Sequence, residues 1–544
     1  MGNKFFGMRI AFMQASTHNI KMKHTSTIKN PIPVLVICLL FAAALVTQSC
    51  TKKKRTELGE ELFKKSQNKV LKDADPDSLA IVFKEMLQTE KGKMTQPQII
   101  TSFYEQNNYD PVFVMDHIFN GDVDLIANYF EKAGQHGLDP KMFKADQIKQ
   151  LVAKFKDKTA IKTLKEGYHD IALLEILTAN SLVNYSNALQ YGMISPRKIY
   201  QRYFMATKRP DSVSMFATLR ASNLKALLDS IQPKNPQYLM LQKALIAGGT
   251  AQGMSKEETQ RYLAVNMERL RWRNKPYEPK YVIVNIPDYR LDVMENGQST
   301  LNMKVIVGEG RNTDNSISLK EYNESYKIDR PFSRETPQLN SQIYAAQVNP
   351  VWNIPQSIAS KEIMVEADKD PYYLENKGID VYKNGKKVED PETIDWLSAK
   401  PGDYEFKQRP GDQNSLGKIK FLFNNNSSVY LHDTPARNKF NESMRALSHG
   451  CVRVGDPLAL AKNLFGETAS YDTIAKDMAE PKPSPTTLDL PKKVPVYLTY
   501  VTCWVDANGT LQYRPDVYGL DVVLYGHLKK FLADSDTLAG LAAL

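Results

Sequence analysis

The 544-residue sequence predicts an α+β chain, helical through its first half and mainly β through its second. Three observations carry that assignment. From about 76 to 265, apolar residues recur three and four positions apart, as in "SLAIVFKEML" and "DIALLEILTANSLVNYSNAL". From about 280 the period shortens to two, as in "KYVIVNIPDYRLDVMENGQSTLNMKVIVG". A hydrophobic content of 42% with 24% charged residues is that of a globular chain, and the length exceeds what one ordinary core serves.

The first fifty residues hold five basic residues (Lys4, Arg9, Lys21, Lys23, Lys29) and no Asp or Glu. They lead into thirteen apolar residues, Val34 to Val46, and then "TQSC". That run is short for a membrane span, which needs about twenty residues, and suits the core of a signal peptide. The cysteine that ends it, Cys50, resembles the processing and lipidation site of a bacterial lipoprotein. The expectation is therefore a lipoprotein-type signal over 1–50, a charged tether or first helix over 51–75, and a membrane held through a lipid on Cys50. The alternative is an uncleaved, unusually short anchor. Without the leader the formal charge falls from +10 to 66 basic against 61 acidic residues, with no basic stripe. Nucleic acid is not an expected partner.

The helical domain is expected over 76–265, punctuated by Gly134, Gly137 and Pro140, by Gly192 and Pro196, and by Gly248 and Gly249. "NMERLRW" closes it as a connecting helix whose Arg269, Arg271 and Arg273 are expected in solvent. The β half follows over 266–520, with a hairpin at Asn296-Gly297 and further strands in "QIYAAQVNPVWNIP", "GKIKFLF" and "SVYLHDTP". Residues 309–335 read as a long surface insertion. Residues 356–412 carry mixed helix and turn signals, including Asn384-Gly385 and Pro410-Gly411. "DPLALAKNLFG" reads as one helix, capped by Asp456, begun by Pro457 and ended by Gly466. A last strand pair turns at Asn508-Gly509, and a short C-terminal helix is expected within 521–544.

With Cys38 in the leader and Cys50 acylated, two free cysteines remain, Cys451 and Cys503. Too few are left for a disulfide framework. Cys503 lies in the alternating run "VYLTYVTCWV" and reads as a buried strand residue. Cys451 lies in "SHGCVRV", a polar, glycine-bearing, cationic loop, which is how a protein keeps a thiolate usable. A cysteine nucleophile needs a base and oxyanion donors. His432, nineteen residues earlier at the end of a strand, is the preferred base, and His449 is read as shaping the loop. Gly450 would leave its own amide and that of Cys451 facing an oxyanion. Arg453 would depress the thiol pKa or bind a substrate carboxylate. Zinc held by Cys451, His449 and His432 is the rival reading, although structural zinc takes four ligands.

"YLHDTP" followed by "SHGCVRV" resembles the active-site signature of the L,D-transpeptidases, the YkuD-like cysteine enzymes of bacterial cell-wall assembly. "NMERLRW", "VNPVWNIPQSIASKEI", "RPGDQNSLGKIKF" and "YVTCWVDANGTLQYRPDVYG" resemble the large scaffold-bearing periplasmic subfamily. "SFYEQNNYDPVFV" and "GQHGLDP" resemble its scaffold. The resemblance covers about 266–520 closely and 76–265 more faintly. It implies a β-sandwich-like catalytic domain with a capping subdomain, here 356–412, after a helical scaffold domain. It implies Cys451 as the acylated nucleophile, His432 as general base, and Ser448, His449, Gly450 and Arg453 as the surrounding pocket. The implied reaction joins peptidoglycan stem peptides in 3-3 crosslinks, with no metal or organic cofactor. Water or a protein lysine as acceptor, and a non-catalytic peptidoglycan-binding scaffold, are the alternatives. Two departures stand out: the small peptidoglycan-binding module common before "NMERLRW" is missing, and the insertion at 309–335 replaces a short strand connection.

Overall fold

The computed structural model describes residues 57–542, apart from 249, 252, 275–277, 311–333 and 507. The expected signal segment, Cys50 and most of the 309–335 insertion lie outside the described residues. The helical half begins earlier than its periodicity suggests, with a helix over Leu58–Ser66 in the segment read as a tether or first helix.

Local sequence sets where the helices start and stop. Helix α1, Pro76–Glu90, starts on Asp75, whose side chain accepts from the Ser78 amide, with Pro76 in the first turn. Helix α2, Leu164–Tyr191, is capped by Thr163 and ends at Gly192 with φ +74°. It is the axis of the scaffold. Most of its faces are buried, and α1 and the neighbouring helices pack around it in one apolar core that includes Phe83, Phe103, Phe130 and Tyr185. Helix α3, Lys256–Arg271, opens with a reciprocal cap between Ser255 and Glu258.

Arg269 and Arg271 of α3 correct the expectation of solvated arginines: they are 8% and 3% exposed. Arg269 reaches Asp521 at 2.5 Å, and Arg271 reaches Glu268 at 3.2 Å and the His136 carbonyl at 2.7 Å. A buried guanidinium persists only where carboxylates and carbonyls replace water. Arg273 alone is exposed.

The β half is built from β1 (Lys280–Asn285), β2 (Arg290–Glu295), β3 (Gln298–Gly308) and β4 (Leu339–Val348). A small subdomain follows, with β5 (Trp352–Ile354), β6 (Ile379–Lys383), β7 (Lys386–Lys387) and β8 (Glu405–Gln408). The chain then returns through β9 (Ile419–Phe423), β10 (Leu431–His432), β11 (Ala446–Ser448), β12 (Val452–Val454) and the long β13 (Thr486–Thr499). The pairings close on themselves. From β3 they run through β2, β1, β13, β4, β9, β10 and β12 and back to β3, while β11 adds to β3 from outside. The eleven-residue β3 serves both faces, pairing with β2 through Gln298–Lys304 and with β12 through Val305–Ile306. The result is a flattened barrel, the sandwich-like body expected, with Val282, Leu291, Val305, Phe421, Leu431, Val452 and Val496 inside.

The hairpin at Asn296-Gly297 has φ +49° and +85°, the left-handed pair that a two-residue turn demands. Helix α4, Pro457–Phe465, is capped by Asp456 and ends at Gly466, φ +70°, as the sequence predicts. Cys503 is 1% exposed in the strand Cys503–Val505, which pairs with Leu511–Tyr513. The subdomain of β5 to β8 has a core of its own around Trp396, Phe406, Ile379 and Leu374. In place of one C-terminal helix there are two, Leu520–Leu528 and Ser535–Ala542.

Candidate active site

Strands β9, β10 and β12 lie side by side, and their register places the reactive residues. Phe421, Leu431 and Val452 point into the barrel. Alternation therefore sends Lys420, His432 and Arg453 to the outer face, in one row across three strands. One step back along β10 and β12, Tyr430 and Cys451 stand abreast on that same face, and the Val452 amide donates to the Tyr430 carbonyl at 3.1 Å. The nineteen-residue gap in sequence thus becomes one parallel strand pair in space.

Cys451 is half-buried and stands beside Tyr430. Burial pushes the thiol up to about 11 from 9.0, against the Tyr430 amide, the Arg453 charge, the Tyr430 phenol and the Lys420 charge, which all pull it down. The cationic setting is present, but desolvation outweighs it. His432 is 4% exposed, and burial brings it down to about 3, with Arg453 and Lys420 acting in the same direction. Its Nδ1 lies 2.5 Å from the Asp433 carbonyl, which fixes the proton there and leaves Nε2 as the lone-pair nitrogen. The Tyr430 and His432 rings are 5.7 Å apart, and the Lys420 ammonium lies 5.3 Å from the Tyr430 ring centroid. Arg453 keeps Nε buried with no hydrogen-bond partner among the described residues.

The loop before Cys451 is held from several sides. Gly450 has φ +118°, a conformation L side chains rarely adopt, so its backbone shape rather than its space requires glycine. Its carbonyl accepts from Thr336 Oγ1 at 2.8 Å, and that hydroxyl accepts from the Gly308 amide at 2.8 Å. A Cβ on Gly308 would fall 2.0 Å from the Arg334 carbonyl, so here close approach requires glycine. Ser448 Oγ donates to the Cys451 carbonyl at 2.5 Å and accepts from the Gly450 amide at 3.1 Å. That last bond corrects the expectation of two free amides. Gly450 N–H is already engaged by Ser448 Oγ.

His449 turns away from the sulfur. Its Nε2 meets Glu362 Oε1 at 2.7 Å, and the same oxygen takes Arg334 at 2.7 Å, while Arg334 also holds Glu309 at 2.9 Å. Glu362 lies on a π-helical turn, Ala359–Ile363, of the small subdomain. His449 thus fastens the loop to that subdomain. The zinc reading needs Cys451, His449 and His432 to converge, and this orientation separates them. Among the described residues no three His, Cys, Asp or Glu side chains gather as a metal site.

Tyr430, Lys420, Thr336 and Glu362 are the contributors that sequence reasoning missed. Tyr430 could have been found, because it lies two before His432 in a strand and so shares its face. The other three are joined to the loop only by the fold.

Residues 279–470 match the family model of the YkuD L,D-transpeptidase catalytic domain, and residues 98–245 match a Scaffold domain model. A curated protein of Haemophilus influenzae, named "Putative L,D-transpeptidase", is 31% identical over 326 residues. The match covers 59% of this chain and 61% of that relative, so the chain spans about 61% of the length of the protein it matches. A solved structure described as "Structure of the Ldtfm-avibactam carbamoyl enzyme" aligns over 59% of this chain and 80% of its own, at 11% identity and a TM-score of 0.19. At that score the alignment carries no argument.

Proposed function

Given that this chain carries a YkuD L,D-transpeptidase catalytic domain behind a Scaffold domain, we propose that it forms 3-3 crosslinks in peptidoglycan through an acyl-enzyme on Cys451. The observation that carries the reading is the strand pair that sets Cys451 beside Tyr430 and next to neutral His432, between Lys420 and Arg453. The sulfur attacks the carbonyl joining the third residue of a tetrapeptide stem to its terminal D-Ala, and His432 Nε2 takes the thiol proton. The tetrahedral oxyanion meets the Cys451 amide, an interaction worth about 3 kcal/mol per donor in comparable sites. Arg453, whose Nε has no partner among the described residues, offsets the developing negative charge. His432 then returns the proton to the leaving amine of D-Ala, giving a thioester. The amine of a second stem attacks that thioester, passes its proton to His432, and releases the crosslink with a free thiol. No step calls for a metal or organic cofactor. Water or a protein lysine as acceptor would use the same acyl-enzyme. We further propose that the chain works in the periplasm, held to a membrane through lipidated Cys50.

A carbapenem, whose strained ring is an acyl donor, tests the nucleophile. Intact-protein mass spectrometry is expected to show one covalent equivalent, lost in Cys451→Ala. An adduct that survives the substitution would refute the assignment. Muropeptide analysis after incubation with purified chains separates crosslink formation from hydrolysis.

A further inference from the structure

Where the helical scaffold meets the barrel there is a cavity of about 580 Å³ that the reaction above does not use. Its wall is drawn from the end of α2, from residues 230–235, from the last turns of α3, and from Gln338 and Thr499–Val501 of the barrel. Four wall residues are cations, Lys234, Arg269, Arg271 and Arg273, and none of the described wall residues is an Asp or Glu. Arg269 and Arg271 are the buried pair, tied to Asp521 and Glu268 behind the wall, and each leaves Nε without a hydrogen-bond partner among the described residues. Lys234 and Arg273 are exposed. Arg273 meets the Gln190 side chain at 3.4 Å and lies over the Tyr191 ring. Asp229, whose carboxyl feels Lys234, is itself paired with Lys225 at 2.6 Å. Gln232 and Asn235 add amide groups, and Trp272 adds aromatic surface.

Two exposed cations with no salt bridge to a carboxylate among the described residues, above a wall of amides and aromatic rings, fit a ligand that carries carboxylates and amides together. The volume lies within the range of small-ligand sites, about 300–1,000 Å³. The cavity is also wired to the reactive loop. Gln338 donates its amide to the Arg202 carbonyl at 3.0 Å and accepts from Phe204 at 2.7 Å, joining wall to scaffold. Two residues earlier, Thr336 holds the Gly450 carbonyl. Two residues of extended chain span only about 7 Å.

We propose that this cavity binds the non-reacting part of the substrate, a carboxylate-bearing, peptide-substituted amino sugar, and so grips the polymer while a stem reaches Cys451. The proposal rests on the peptidoglycan reading above.

The test uses the purified full chain and soluble N-acetylmuramyl dipeptide, followed by titration calorimetry, with neutral diacetylchitobiose as comparison. Saturable binding of the muramyl dipeptide is expected, weaker by about tenfold in the Lys234→Gln, Arg273→Gln double variant and weaker again between about 50 and 300 mM salt. Both positions are exposed, so the fold should be retained, and the rate of carbapenem addition to Cys451 should match that of the unsubstituted chain. No binding, equal binding by the variant, or equal binding of the neutral disaccharide would overturn the proposal. Failure of carbapenem addition with intact muramyl binding would instead strike the proposed reaction and leave the cavity assignment standing.

Discussion

Replacing Arg453 with methionine removes a fixed charge that works against burial at two neighbours, Cys451 and His432. With the thiol at about 11 instead of 9.0, some 3 kcal/mol oppose the thiolate, at about 1.4 kcal/mol per unit. At pH 8 the thiolate fraction is about one in a thousand, against about one in ten for an unshifted thiol. Iodoacetamide should therefore alkylate Cys451 about a hundredfold more slowly than a free cysteine at pH 8, with the rate rising about tenfold per unit through pH 10. A guanidinium several ångströms away, at an effective dielectric near 20, contributes about 2 kcal/mol to the thiolate. Arg453→Met should then slow alkylation at pH 8 by roughly a further thirtyfold. Tyr430→Phe, which deletes one donor to sulfur, should slow it about tenfold, since hydrogen bonds to charged groups are worth about 1.5–3 kcal/mol. The measurement is alkylation rate against pH, read by mass spectrometry at Cys451. His432→Gln should leave this profile nearly unchanged while abolishing acylation by a stem peptide, because neutral His432 is not among the groups that set the thiol titration. A titration near or below 9 in the unsubstituted chain, or a shift produced by His432→Gln and not by Arg453→Met, would refute the neutral-pair picture.

Glu362→Gln cuts the charge that holds both His449 and Arg334, yet these pairs are partly exposed, so each is worth less than about 1 kcal/mol. The melting temperature should barely move while turnover of a stem peptide falls; unchanged turnover would deny the fastening a role in catalysis. Thr336→Val keeps shape but leaves the Gly450 carbonyl and Gly308 amide unpaired where Thr336 is 2% exposed. Denaturant melts should show a loss of about 2–5 kcal/mol, and a loss within error would mean that water replaces the hydroxyl. In the scaffold, burial raises Glu175 to about 8 from 4.5, against the Val114 amide and the Tyr104 hydroxyl. A folded-state pKa raised in this way costs stability as pH climbs above 4.5, and the cost levels off above 8. Glu175→Gln should therefore gain on the unsubstituted chain by about 3 kcal/mol between pH 5 and 7, and a flat difference would place the carboxylate in its charged form.

Local chemistry made much of this fold legible. Asp456, Pro457 and Gly466 announce one helix within ten residues, Asn296-Gly297 announces a hairpin, and the alternation around Cys503 announces a buried strand. Each signal acts within a few bonds of where it is read. What stayed hidden depends on partners distant in sequence. Arg269 looks like any solvated arginine until Asp521, 252 residues on, is folded against it. His449 could be assigned to the loop but not to Glu362, which a separate subdomain brings to it. The Gly450 amide failed as an oxyanion donor for a subtler reason. Ser448 is close in sequence, but whether its hydroxyl folds back depends on a χ1 angle that the sequence does not state.

The site makes chemical sense as one built for charge that is absent at rest. Burial favours the neutral forms of the two groups proposed to react, the thiol at about 11 and the imidazole at about 3, so that no ion pair would stand between them to be undone. Yet the surroundings favour an anion: two cations, Lys420 and Arg453, the neighbouring Tyr430 phenol, and a buried guanidinium nitrogen with no partner among the described residues. Donors of this kind gain little from a neutral ground state. They gain most when the sulfur sheds its proton or the oxyanion forms, and interactions that strengthen only then lower the barrier rather than merely tightening binding. The proton has one place to go. With Nδ1 committed to the Asp433 carbonyl, His432 can accept only at Nε2, and accepting makes it a cation beside Arg453 and Lys420, which disfavour it. In the proposed reaction the same repulsion would return the proton readily to the leaving amine. A base that is hard to protonate in the resting site is thus a strong acid in the next half-step, as an acyl transfer that must take a proton and then give it back requires.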